Sequence, residues 1–179
     1  MKKTIIGNTV LVLAALFSGQ SSAATVNFTG KLVVPPLCTV TSEGSSSEMI
    51  NVTFDSRMDV SKVDGVNFRQ PIPYTVNCKA GSSGLDLKLI LSGITSTFND
   101  GLGENSAILS TSIQKNDFGI RIYQGSSMSA TKAFPLNTKN VITLNDDQFK
   151  LWASPTKRTG ATLVEGTFSA TANLTAVYE

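Results

Sequence analysis

The chain has 179 residues, with 15 Lys and Arg, 13 Asp and Glu, two Cys and no His. Without His there is no Ser-His-Asp or Cys-His catalysis and no His-ligated metal, and two Cys cannot build a four-Cys zinc site. With 41% hydrophobic residues, nine Phe, three Tyr and one Trp, the chain has enough apolar mass for one folded domain and is not a disordered segment.

The first element is a targeting signal. Lys2 and Lys3 open it, the apolar run VLVLAALF follows at residues 10–17, and Ser21, Ser22 and Ala23 supply small residues for cleavage. This is the layout of a secretory signal peptide, residues 1–23, cut after Ala23 or Ala24; its apolar run is too short to span a bilayer. No later stretch is long and apolar enough for a transmembrane helix, so no membrane span is expected in the mature chain. The segment holds two Lys and no acid, which leaves 13 basic against 13 acidic residues. A neutral mature chain has no electrostatic footprint for nucleic acid. Lys157 and Arg158 form a lone basic pair near Pro155 and Gly160, read as a solvated turn.

Cys38 and Cys78 both lie in the exported part. An even pair in an oxidising compartment reads as one disulfide, with two free buried thiols as the alternative. The closed loop would be worth roughly 4 kcal/mol in the chain-entropy account.

The mature chain reads as all-β. Residues 25–34 alternate well, and further strands are expected at 38–41, 49–54, 72–78, 85–91, 118–123, 141–144 and 149–153. Residues 168–178 close the chain. Between them stand breakers such as Gly44-Ser45-Ser46-Ser47, Gly81-Ser82-Ser83-Gly84 and Gly125-Ser126-Ser127. No segment holds a helical period and no fixed repeat is visible. Seven or eight such strands imply an immunoglobulin-like sandwich.

Several apparent motifs carry no chemistry. Gly101-Leu102-Gly103 continues to Ser106 where a dinucleotide fingerprint needs Gly. Asp146-Asp147 is a turn by default. Three Asn-x-Thr sequons, at Asn27, Asn51 and Asn173, each enclose an apolar residue (Phe28, Val52, Leu174). Period-two alternation, polar out and apolar in, accounts for them more simply than glycosylation. No catalytic constellation survives, so neither an enzyme nor a cofactor is expected.

The informative features are the two ends. From Val26 the chain reads V-N-F-T-G-K-L-V-V, with Val26, Phe28, Gly30, Leu32 and Val34 on one face. Pro35-Pro36 stops this strand, because Pro cannot donate to a ladder. At the other end Phe168, Ala170, Ala172, Leu174, Ala176 and Tyr178 alternate with Thr, Ser, Asn and Val.

Together with the signal peptide, these ends resemble the chaperone–usher pilins. The resemblance rests on the alternating N-terminus with its central Gly30, Cys38 after it, and Cys78 forty residues on. Gly166 fourteenth from the end and penultimate Tyr178 complete it. The stretches FTGKLVVPPLCTV and GTFSATANLTAVYE are most similar to minor subunits of P-type pili, and DFGIRIYQGSSMS to a tip adaptor subunit.

The resemblance implies an incomplete immunoglobulin-like β-sandwich that lacks its C-terminal strand. A donor strand completes it in trans. A periplasmic chaperone would fill the groove first, then the extension of a neighbouring subunit, with an outer-membrane usher as the assembly site. It implies a donor extension at residues 24–36, its strand at 24–34, ahead of a pilin domain at 37–179. Val26, Phe28, Gly30, Leu32 and Val34 would be the donor's inserted face. Gly166, Phe168, Ala170 and Ala172, continuing through Leu174, Ala176 and Tyr178, would form the strand that receives it. The carboxylate of Glu179 would sit in a basic cleft of the chaperone.

The function implied is a structural subunit of a surface pilus that supports cell adhesion, as a minor tip or adaptor component exported through the periplasm. The alternatives are a sugar-binding adhesin or a self-contained β-sandwich binding module. An adhesin of this family carries a lectin domain before its pilin domain, and Cys38 stands too near the mature start to leave room for one.

Overall fold

The computed structural model describes residues 27, 29–30, 38–78, 86–142 and 150–178. The chain divides into two units, residues 1–34 and residues 35–179. In the first, Asn27, Thr29 and Gly30 are exposed. The signal segment, Val26, Phe28, Leu32, Val34, the 81–84 breaker, Asp146, Asp147 and Glu179 lie outside the described residues.

The second unit is built from ten described strands and two single-turn 3-10 helices, Val60–Lys62 and Asn105–Ala107. The strands are β1 (Cys38–Ser42), β2 (Gln70–Ile72), β3 (Tyr74–Cys78), β4 (Leu87–Gly93) and β5 (Ile108–Ser110). They continue with β6 (Phe118–Gln124), β7 (Lys132–Ala133), β8 (Asn140–Ile142), β9 (Leu151–Lys157) and β10 (Ala172–Tyr178). All pairings are antiparallel. They form a β1-β3 pair, a β10-β4-β8 sheet and a β2-β9-β6-β5 sheet with β7 beside β6.

Alternation explains the core. In β6, Phe118, Ile120 and Ile122 share a face with their β9 partners Lys157, Pro155 and Ala153, because opposed residues in a ladder point the same way. In the other sheet Leu89 and Leu91 share a face with Ala176 and Leu174. Ile120, Ile122, Leu87, Leu89 and Leu91 are all buried, each worth about 1.5–3 kcal/mol. At one edge Cys38 and Cys78 are ladder partners, with Cα atoms 4.0 Å apart, and form a disulfide.

The opposite face of β6 and β9 is polar yet closed. The side chains of Arg121 and Asp100 are both fully buried, the guanidinium Nη2 standing 2.5 Å from the carboxylate. The same arginine donates to the carbonyls of Gly103 and Glu104, and Thr156 donates to Asp100 at 2.8 Å. Burial alone would push the Asp100 carboxyl up, but the donors Arg121, the Leu102 amide and Thr156 hold it below the usual carboxylate range. Beside it Arg69 lies 4.0 Å over the Tyr123 ring, and both Arg69 and the Tyr123 hydroxyl donate to the Gly65 carbonyl. Burial raises the Tyr123 pKa.

Several strands differ from the sequence expectation. Pro73 divides the expected 72–78 strand: β2 joins the five-stranded sheet and β3 joins β1, since Pro offers no ladder donor. The strand expected at 149–153 runs at 151–157 instead, through Pro155. Lys157 therefore ends a strand and donates to the Val60 carbonyl, and Arg158 pairs with Asp117 at 2.6 Å. That basic pair is more tied down than a solvated turn. The segments expected as strands at 49–54 and 168–171 have no ladder among the described residues. Both border the same groove.

Candidate functional site: an open apolar groove

A cavity of about 1340 Å³ opens along the second unit. Its floor is the apolar face of the core: Leu91, Leu109, Phe118, Ile120, Ile122 and Ala153. One wall is supplied by residues 48–60 and the other by residues 163–170 and 172–176.

Both walls are patterned like strands. Along the first, Asn51 and Thr53 are exposed while Val52 and Phe54 are half-buried and pack on the core. Along the second, Asn173 and Thr175 are exposed, Leu174 is half-buried and Ala176 is buried. That is the period-two signature of a sheet with one apolar face. Yet residues 48–58 join no ladder, and β10 pairs with β4 along one edge only among the described residues. Among the described residues, strand patterning without a full set of strand partners leaves backbone donors and acceptors along both walls with no ladder partner.

The groove's side chains are underburied for their position. Val40, Val52, Phe54, Ile72, Phe168 and Leu174 pack on the core but are only partly covered. Phe168 stands between Phe54 and Phe118, at centroid distances of 5.9 and 4.9 Å, the second edge-on. Charged residues lie among the lining: Glu48, Asp55, Asp59 and Glu165 against a single Arg57. Asp59 caps the short 3-10 helix by accepting from the Ser61 hydroxyl and amide, and these two bonds hold its carboxyl below the usual range. Among the described residues lining this groove there is no paired acid and base and no activated nucleophile. It offers apolar area and unpaired backbone, the chemistry of a receptor for an extended chain.

Of the residues singled out in the sequence, Gly166, Phe168, Ala170, Ala172, Leu174 and Ala176 line this groove. Tyr178 contributes its backbone to β10 opposite Leu87. Cys38 lines the groove through β1 and carries the disulfide to Cys78. Gly30 has no heavy atom within 4 Å of where a Cβ would stand. The wall at 48–60, the partly covered Phe54 and the floor residues of β6 were not singled out as site residues. Their signal was present: Val52 and Phe54 alternate with Asn51 and Thr53 on an expected strand.

The comparisons agree with this geometry. The profile of the family described as fimbrial protein matches residues 26–179. The uncharacterized fimbrial-like protein YfcR of Escherichia coli strain K12 is 33% identical over 181 residues, spanning 99% of this chain and 96% of that protein. Among solved structures, the P pilus adaptor subunit PapF matches with a TM-score of 0.51 at 23% identity, over 82% of this chain and 98% of its own. The P pilus rod subunit PapA matches at 0.50 and 21%, over 87% and 100%. A chaperone–usher pilus subunit matches at 0.53 and 20%, over 88% and 96%. These likenesses show the immunoglobulin-like pilin fold. The chain belongs to the fimbrial protein family, and its fold is the open, nearly all-β sandwich of the pilus subunits it is similar to.

Proposed function

We propose that the subunit polymerises by donor-strand exchange, residues 24–34 of one subunit filling the groove of another. One observation supports the reading: two strand-patterned walls flank an apolar groove in the same unit, and among the described residues one wall joins no ladder and the other is paired along one edge only, through β10 and β4. An inserted strand would satisfy both edges at once and cover Phe54, Phe168 and Leu174. Val26, Phe28, Leu32 and Val34 supply the matching apolar face, for a gross gain of roughly 6–12 kcal/mol before ordering costs.

In this reading a periplasmic chaperone covers the groove first, because an open edge beside an apolar groove aggregates if left free. The usher then exchanges the chaperone's strand for that of a neighbouring subunit. The terminal stretches favour a minor tip or adaptor position in the pilus, supporting adhesion. A photo-crosslinking residue at position 28 tests the assignment in assembled pili. Crosslinks should map to residues 48–60 or 163–176 of a neighbouring subunit. Crosslinks confined to other surfaces would contradict it.

A further inference from the structure

The wall at 163–170 has no ladder, yet it is held in place. Gln114 does this with its side chain: Nε2 donates to the Val164 carbonyl at 2.8 Å, and Oε1 accepts from the Val164 amide at 2.9 Å. One primary amide thereby makes both bonds that a neighbouring strand residue would make to Val164. Five residues on, the Ser112 amide donates to the Ser169 carbonyl at 2.8 Å and the Ser169 amide donates to the Ser112 hydroxyl at 2.9 Å. Both contacts come from the loop between β5 and β6. No helix or turn hydrogen bond occurs within residues 163–170.

Gln114 is also strained. Its φ is +46°, a region that a long side chain rarely occupies. The Asp117 and Phe118 amides both donate to its carbonyl at 2.8 Å, which fixes the turn that aims the side chain. Such strain persists where the surroundings hold it, and marks a position worth a functional explanation.

Building on the donor-strand reading, we propose that Gln114 is a positioning residue for the acceptor edge. It pins the Val164 backbone to the β5–β6 loop and so holds residues 163–170 in place as an edge for an incoming strand. The edge that receives the donor therefore begins near Leu163, not at Ala172 where β10 starts. The occupant is the extended donor segment of a neighbouring subunit, which reaches from the 163–170 wall onto β10 without spanning the whole of both.

The test uses the full chain with residues 24–36 repeated after Glu179 through a flexible linker, which keeps the donor at high local concentration. Amide hydrogen exchange is read separately over 163–170 and 172–178, in this fusion and in its Gln114→Gly and Gln114→Glu variants. Glycine relieves the positive φ, so the fold should survive. Glutamate keeps the shape but places an acceptor against the Val164 carbonyl. The unsubstituted fusion should protect both stretches. In both variants protection should fall roughly tenfold over 163–170, equivalent to losing about one net hydrogen bond, and persist over 172–178. Equal protection of 163–170 in all three proteins would overturn the role of Gln114. Free exchange of 163–170 in the unsubstituted fusion, with 172–178 protected, would place the edge's start at Ala172. If 172–178 gains no protection over the unfused chain, the donor-strand reading itself fails and this inference with it.

Discussion

The two faces of the β6–β9 pair are finished to different degrees. On one face Arg121, Asp100, Thr156, Arg69 and Tyr123 are buried in a hydrogen-bonded network roofed by the chain's own loops. On the other, Ile120, Ile122 and Ala153 floor an open groove whose walls have strand patterning and unpaired edges. A chain able to bury two charges with nearly every polar atom partnered is not short of means to close a surface. The face it leaves open is apolar and strand-shaped, and in the proposed reading it is the face offered to another chain.

The largest single-site effect should come from the closed face. Arg121→Ala leaves the Asp100 carboxylate buried without its partner, a change that commonly costs about 3–5 kcal/mol. Chemical denaturation of a donor-complemented subunit should show this as a lower midpoint at unchanged slope. A loss below about 1 kcal/mol would mean that the network contributes little.

Leu174→Ala sharpens the contrast because its cost should depend on whether the groove is occupied. Leu174 is half-buried in the chain alone, so truncation there should cost only about 1 kcal/mol. With a donor strand over it, the cost should rise to the 2–5 kcal/mol of a buried leucine. Equal costs in the free and complemented subunits would mean that no strand covers Leu174.

The smallest effect is in acid. The Asp100 carboxyl is held below its ordinary value of 3.8. Its contribution is therefore present above that unfolded value and is lost as pH falls through the lower folded value. Asp100→Asn should lower stability at neutral pH yet flatten the fall of stability below about pH 4. An unchanged acid limb would exclude Asp100 as the group responsible.

The fold was legible where alternation ran for five residues or more and the chain itself supplies the partner strand. Phe118-Gly119-Ile120-Arg121-Ile122-Tyr123 and Leu87 to Leu91 announce their strands because one face is continuously apolar. The three-residue β5 and two-residue β7 are too short to carry a period and went unread. The buried pair was hidden for a different reason. In a period-two reading Arg121 falls on the face opposite Ile120 and Ile122, which by default faces water. Only the loop bearing Asp100, Gly101 and Gly103, both glycines at φ +82°, turns that face into an interior. The receptor groove was half legible: the C-terminal wall was read from Phe168, Leu174 and their neighbours. The wall at 49–54 was read as an ordinary strand, since pattern alone does not tell a paired strand from one awaiting a partner.

The central claim is that residues 37–179 hold an apolar groove that the subunit does not fill by itself. The most direct measurement compares the melting temperature of the mature chain with that of a fusion carrying residues 24–36 after Glu179 through a flexible linker. The fusion should melt far higher and stay monomeric. The unmodified chain should aggregate, degrade or self-polymerise in the absence of a chaperone. A stable, cooperative monomer from the unmodified chain, with no gain on fusion, would contradict the account and favour a self-contained β-sandwich.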